Sequence, residues 1–149
     1  MKYIIIIISG LLLLISGTYL CLDFCFAKPV ENEIISENNL IEIEQIIQRL
    51  NPTQFRSEIN NENIILIDIR TPEEYNEGHI EGAININYYS HDFSNQISQL
   101  DKDKTYYIYC RRGSRSGNAL EVFRNLNFNE VYDLRNGINS WVNQGFEIH

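Results

Sequence analysis

Short hydrophobic runs alternate with amphipathic stretches along the chain from residue 46 onward. Runs of four or five β-branched and aromatic residues are typical of strands. The most regular, Ile64–Ile67, is continuous, as expected for a strand covered on both faces. The pattern predicts strands at Ile46–Leu50, Ile64–Ile67, Ala83–Ile86, Thr105–Tyr109 and Glu130–Leu134.

Helix-start signals and helical spacing fill the intervals between these strands. Asn51 and Pro52 are a typical cap and first residue, and Thr71 begins a capping box that ends at Glu74. The predicted helices run from Pro52 to about Ile59, from Pro72 to a stop at Gly78, and over Phe93–Leu100, Ser116–Leu126 and Gly137–Gln144. The alternation of strands and helices predicts an α/β fold around a mainly parallel sheet.

The length and composition are those of one globular domain with an acidic surface. The chain has 149 residues, of which 44% are hydrophobic, and its formal net charge is −8. We place the domain at 46–149, after an acidic tether at 28–45. The negative charge argues against nucleic acid and anionic membrane surfaces as partners, and a monomer is the default for a domain of this size.

The N-terminal 27 residues precede the predicted domain and differ from it in character. Lys2 is followed by an uncharged apolar run from Ile4 to Leu22, and Ala27 ends a stretch that fits a signal-peptidase site. We expect residues 1–27 to be a cleaved signal peptide and the domain to be periplasmic. A retained membrane anchor, with the domain outside the cytoplasm, is the alternative.

Cleavage after Ala27 would leave the domain with one cysteine. The chain contains Cys21, Cys25 and Cys110, and the first two lie in the predicted leader. A single cysteine in an oxidising compartment forms no internal disulfide. Cys110 is therefore either a buried inert thiol or a reactive one.

A basic loop follows Cys110 at the end of a predicted strand. Ligand sites of open α/β sheets lie at the carboxyl ends of strands. The arginines and the amides of the next helix favour an anion and a thiolate, and Gly113 allows the loop to curl inward. A small buried cysteine beside a solvated loop is the structural alternative. The candidate site comprises Cys110 as nucleophile and Arg111, Arg112, Gly113, Ser114, Arg115 and Ser116 as anion-binding loop.

Several other polar residues are weaker candidates. Asp68 and Arg70 follow a central strand and either support the cysteine loop or form a local ion pair. His79 lies between two glycines and is more typical of a turn than of a catalytic base. His91 and His149 have no partners at metal-ligand spacing, so we expect no metal. Trp141 and most tyrosines are expected in the core, with one or two tyrosines lining the pocket.

Three sequence blocks resemble those of rhodanese domains. They run from Asp68 to Tyr75, from Gly78 to Asn85 and from Tyr109 to Ser116, and a fourth runs from Asn136 to Gly145. They occur in family order over roughly residues 46–148. The single domain and the leader are most similar to the small periplasmic rhodaneses of the phage-shock protein E type. Glu81 stands where the family often has proline, and Asn136 replaces the first of two glycines.

The resemblance implies a fold and an activity. The fold is a three-layer α/β sandwich with a central five-stranded parallel sheet, and the activity is sulfur transfer without a cofactor. By position, Cys110 is the sulfur acceptor, Arg111 to Arg115 wrap the persulfide, and Asp68 and Arg70 support them. The implied substrates are a small anionic donor such as thiosulfate and a nucleophilic acceptor such as cyanide or a thiol.

Two other functions are weighed against this one. A cysteine phosphatase or arsenate reductase is disfavoured, since such loops hold one residue more between cysteine and arginine than the four found here. They also usually have histidine where Tyr109 stands. A non-enzymatic binding module or sulfur carrier is the other alternative, and the presence of Cys110 argues against a purely structural role.

Overall fold

A computed structural model of the chain describes residues 44–149. The predicted leader at 1–27 and nearly all of the tether at 28–45 lie outside the described residues. None of the helices in residues 44–149 has the length and hydrophobicity that a membrane span requires.

Five strands and five helices alternate in the described part of the chain. The strands are β1 (Ile46–Leu50), β2 (Ile64–Asp68), β3 (Ile84–Asn85), β4 (Thr105–Tyr109) and β5 (Glu130–Leu134). The helices are α1 (Pro52–Glu58), α2 (Pro72–Asn76), α3 (Phe93–Ser98), α4 (Ser114–Asn125) and α5 (Gly137–Asn143). The strands form one parallel sheet in the order β1-β5-β4-β2-β3, which confirms the predicted fold class.

Helices cover both faces of the sheet. Alternate residues of β4 point to opposite sides: Tyr106 and Ile108 lie in the cluster with α3 and α4, whereas Tyr107 and Tyr109 lie in the cluster with α1 and α5. All four are buried. Because β4 is buried on both faces, nearly all of its residues are hydrophobic rather than every second one.

Local signals fix where the helices begin. The side chain of Asn51 accepts a hydrogen bond from the Gln54 N–H, and Thr71 accepts one from the Glu74 N–H, so both predicted caps are present. Trp141 is buried in α5, as predicted.

The largest differences from the predicted boundaries are found in three elements. Helix α4 begins at Ser114 rather than Ser116, because Gly113 has a φ of +79° and turns the chain directly from the cysteine loop into the helix. Strand β3 has only two residues, and α3 ends at Ser98. The early start of α4 places Arg115 in the first helical turn instead of in the loop.

Candidate active site

The candidate nucleophile lies at the carboxyl end of the central strands. Cys110 directly follows β4, and the β2 residue Asp68 is paired with Tyr109 just before it. The Cys110 side chain has 0% exposure and is a free thiol. The sulfur is therefore at the bottom of the loop, covered by the residues that follow it.

Two hydrogen-bond donors point at the sulfur. The Gly113 N–H donates to Cys110 Sγ over 3.1 Å, and the Ser116 hydroxyl donates to it over 3.4 Å. Both donors come from the start of α4, and Ser116 is fully buried. Hydrogen bonds donated to sulfur favour its negatively charged forms over the neutral thiol.

The N-terminus of α5 holds the backbone of the cysteine loop. The Ile138 N–H donates to the Cys110 carbonyl over 2.8 Å, and the Asn139 N–H donates to the Arg111 carbonyl over 3.2 Å. Asn136 has a φ of +64°, as does Gly137, and asparagine tolerates this region better than most residues. The β5–α5 turn thus determines where the sulfur sits.

Arg115 forms an ion pair with a carboxylate that the sequence analysis did not identify as part of the site. Its guanidinium donates to both oxygens of Glu74, over 2.7 and 2.9 Å. The hydrogen bonds from Arg115 are the main reason that the pKa of Glu74 falls from 4.5 to about 2. Most of the Arg115 charge is therefore balanced by Glu74, and the role predicted for Arg115 in binding an anion stays a prediction.

The Glu74–Arg115 pair predicts an acid-dependent loss of stability. Because the folded protein lowers the pKa of Glu74, the pair stabilises the fold fully above pH about 4.5 and loses this contribution as the pH falls toward about 2. We expect the free energy of unfolding of the wild type to drop about 1–3 kcal/mol more than that of Glu74→Gln between these pH values. Urea unfolding at several pH values measures the difference.

Glu121→Gln is the matched control for this prediction. Glu121 also pairs with an arginine, Arg124, but on the exposed face of α4, where such pairs contribute little. Its pH dependence should follow the wild type. Parallel curves for the wild type and Glu74→Gln would contradict the assignment.

The remaining cationic residues of the loop lie at the surface. Arg111 and Arg112 are exposed, and so is the neighbouring Ser114. They line a cavity of about 360 Å³ together with Glu74, Tyr89 and Arg115. The Arg115 guanidinium lies 5.4 Å from the centre of the Tyr89 ring, and Tyr89 is 67% exposed. These residues form the rim of the cavity, which has a size and charge suited to a small anion. Tyr89 is the tyrosine that lines it.

Asp68 and Arg70 form a buried ion pair, which is the local alternative raised above. The Arg70 guanidinium donates to Asp68 over 2.6 to 3.0 Å and to the Gly78 carbonyl over 2.7 Å. His79 stacks on Tyr75 and contacts its carbonyl at 3.1 Å. The pair therefore braces the turn that carries His79, and Arg70 also lines a cavity together with Arg111 of the cysteine loop.

Two charged residues near the loop were not predicted. Arg49 of β1 donates to Asp133 of β5 over 2.6 Å and to the Gly113 carbonyl over 2.7 Å. The signal was Arg49, the one charged residue of β1, and Asp133, one of two acidic residues in β5. It becomes informative only when the parallel register that aligns Arg49 with Asp133 is known. In residues 44–149 no cluster of His, Cys, Asp and Glu has the arrangement of a metal site.

Known proteins similar to this chain share both its sequence and its fold. The model of the rhodanese-like domain matches residues 51–144. A sulfurtransferase of Allochromatium vinosum is 34% identical over 110 residues, covering 74% of this chain and 94% of that protein. The thiosulfate sulfurtransferase GlpE of Shewanella oneidensis is 33% identical over 79 residues, covering 53% and 76%. A rhodanese-related protein of Thermoplasma volcanium superposes with a TM-score of 0.61 at 28% identity, covering 68% and 97%.

Proposed function

Because this chain belongs to the rhodanese-like domain family, we propose that its sulfurtransferase activity takes a sulfur atom from thiosulfate and passes it to cyanide or a thiol. The observation that carries the proposal is the environment of Cys110. Its sulfur accepts hydrogen bonds from Gly113 and Ser116 at the base of an arginine-rich loop. Sulfurtransferases are among the relatives, and several of them are named thiosulfate sulfurtransferases.

The reaction proceeds in two half-reactions. The Cys110 thiolate attacks the outer sulfur of thiosulfate, the sulfur–sulfur bond of the donor breaks, and sulfite leaves with its electron pair. Cyanide then attacks the outer sulfur of the Cys110 persulfide, so thiocyanate forms and the thiolate returns. The Gly113 N–H and the Ser116 hydroxyl stabilise the negative sulfur in both states.

The rim residues supply the positive field that attracts the donor. Arg111 and Arg112 are exposed at the mouth of the cavity, in a chain whose net charge is −8. An anion approaching the protein therefore meets a local positive patch at the mouth of the cavity. Because the sulfur has no exposed surface, residues 111–115 must move aside for the donor to reach it.

The ion pair of Arg115 disfavours phosphate ester hydrolysis. A phosphatase loop needs an arginine whose charge is available to the phosphate oxygens. In this chain Glu74 accepts both hydrogen bonds from Arg115. Sulfur transfer adds only one sulfur atom to Cys110. A loop with four residues between cysteine and arginine, one fewer than in phosphatases, has room for that atom.

Steady-state kinetics test the two-step reaction. We expect thiocyanate formation from thiosulfate and cyanide, with parallel lines in double-reciprocal plots because the first product leaves before the second substrate reacts. Intersecting lines would contradict the covalent scheme. Faster hydrolysis of an aryl phosphate than formation of thiocyanate would favour the phosphatase instead.

We also propose that the domain works outside the cytoplasm after removal of residues 1–27. The proposal is supported by the charge of Lys2, the apolar run from Ile4 to Leu22 and the processing site ending at Ala27. Sequencing the N-terminus of the protein isolated from cells is the test. A chain that begins at Lys28 supports export with cleavage, whereas one that retains Lys2 supports the anchor.

A further inference from the structure

Two glycines beside the cysteine loop make room for an arginine side chain. Gly113 precedes α4, and Gly117 lies in the first turn of that helix. A Cβ at Gly113 would lie 2.9 Å from Nη2 of Arg49, and a Cβ at Gly117 would lie 3.4 Å from the same atom. The guanidinium of Arg49 therefore lies directly against the backbone at the start of α4.

A buried carboxylate holds the guanidinium in this place. Asp133 of β5 has 0% exposure and lies opposite Arg49 in the parallel register of β1 and β5. Its Oδ2 accepts a hydrogen bond from Arg49 Nε over 2.6 Å, whereas its Oδ1 has no hydrogen-bond partner within residues 44–149. A buried charge with one unpaired oxygen is costly, so the pair is a poor source of stability and calls for another explanation.

The same guanidinium holds the backbone of Gly113. Nη2 of Arg49 donates to the Gly113 carbonyl over 2.7 Å, and the Gly117 N–H donates to that carbonyl over 3.2 Å. Gly113 has a φ of +79° and no side chain to restrain it. Its conformation therefore depends on the hydrogen bonds of its peptide groups, and Arg49 supplies the shorter of the two at the carbonyl.

Gly113 is also the residue that contacts the sulfur through its backbone. Its N–H donates to Cys110 Sγ over 3.1 Å. The direction of this N–H follows from the conformation of Gly113, since the amide nitrogen and the carbonyl carbon are attached to the same Cα. A chain of hydrogen bonds thus runs from Asp133 through Arg49 and Gly113 to the sulfur.

We propose that Arg49, anchored by Asp133, is a positioning residue for sulfur transfer, because it fixes the Gly113 carbonyl and so keeps the Gly113 N–H directed at Cys110 Sγ. The residues that line the cavity beside the loop do not include Arg49. Arg49 therefore acts on the reaction at the sulfur and not on binding of the donor. The inference rests on the proposed sulfur chemistry and adds a residue to it.

Hydrogen exchange of the Gly113 amide tests the positioning directly. The variants of the full chain are Arg49→Met, and Arg49→Met combined with Asp133→Asn, which leaves no buried charge without its partner. We expect the Gly113 N–H to exchange at least about tenfold faster in both variants than in the wild type. The Ile69 N–H, which donates to the Tyr109 carbonyl over 2.9 Å, is the internal control and should stay within about twofold. Unchanged exchange of Gly113 would overturn the proposal.

The release of sulfite in a single turnover tests the consequence for the reaction. With thiosulfate in excess, the saturating rate should fall about ten- to hundredfold in both variants, because the transition state loses a fixed donor to sulfur. The thiosulfate concentration that gives half of this rate should change less than about twofold. Arg124→Met, on the exposed face of α4, is the matched control and should leave both values unchanged. An unchanged saturating rate, with or without a higher half-saturating concentration, would refute the positioning role.

Arg49→Lys separates the geometry of the hydrogen bonds from the charge. Lysine keeps the positive charge but replaces the planar fork by one nitrogen, so both readouts should stay closer to Arg49→Met than to the wild type. Wild-type sulfite release in Arg49→Lys, with Gly113 exchange as fast as in Arg49→Met, would show that the charge alone acts and would contradict the inference. A wild type that releases no sulfite contradicts the proposed function, whereas Gly113 exchange, which needs no donor, still decides whether Arg49 holds the loop.

Discussion

Replacing Cys110 with serine is expected to reduce sulfur transfer from thiosulfate by at least about three orders of magnitude. The serine oxygen is a poor nucleophile toward sulfur and forms no persulfide, so both half-reactions lose their carrier. The fold should be retained, because serine has nearly the same size and the Gly113 N–H and Ser116 hydroxyl can donate to its oxygen instead. Thiocyanate formation under matched conditions measures the loss.

The two other cysteines provide the control for this substitution. Cys21 and Cys25 lie in the predicted leader, so Cys21→Ser combined with Cys25→Ser should leave the activity unchanged. Thermal unfolding of Cys110→Ser should agree with the wild type to within about 1 kcal/mol. Activity of Cys110→Ser within tenfold of the wild type would remove Cys110 from the reaction.

Gly137→Ala is expected to destabilise the protein by about 3–5 kcal/mol. A Cβ at this position would lie 2.2 Å from the Cys110 carbonyl oxygen and 2.6 Å from the Arg111 carbonyl carbon. Both are backbone atoms of the cysteine loop, so no side-chain rotation relieves the clash. The φ of +64° adds the ordinary cost of a left-handed alanine.

Gly82→Ala separates the steric effect from the backbone effect. Gly82 has a φ of +78°, but a Cβ there meets no atom within 4 Å. Its replacement should cost only about 1 kcal/mol in urea unfolding. Equal losses for the two variants would show that close packing of Gly137 on the loop is unimportant. We also expect the folded fraction of Gly137→Ala to be less active, because the shifted turn moves Cys110.

Local patterns were sufficient to predict most of the fold. The continuous hydrophobic runs predicted β2 and β4 to within one residue at each end, since buried parallel strands need few polar positions. The cap residues Asn51 and Thr71 marked the starts of α1 and α2 because the hydrogen bonds involved join residues three apart. The start of α4 was missed by two residues, as the left-handed Gly113 was interpreted only as a curl in the loop.

The candidate site could be predicted only in part. The cysteine and its basic loop are contiguous in the sequence, so their association needed no knowledge of the fold. The carboxylates that partner the nearby arginines are distant in the chain: Glu74 precedes Arg115 by 41 residues, and Arg49 precedes Asp133 by 84. Which charge meets which is decided by strand order and register, and these are set by packing of the whole sheet.

The most direct test of the proposed function is the intact mass of the protein after incubation with thiosulfate. The persulfide mechanism predicts that the chain gains one sulfur atom, that peptide mapping places it on Cys110, and that sulfite is released in equal amount. Adding cyanide should restore the original mass and produce thiocyanate. A folded protein whose Cys110 reacts with iodoacetamide but whose mass stays unchanged in thiosulfate would contradict the mechanism.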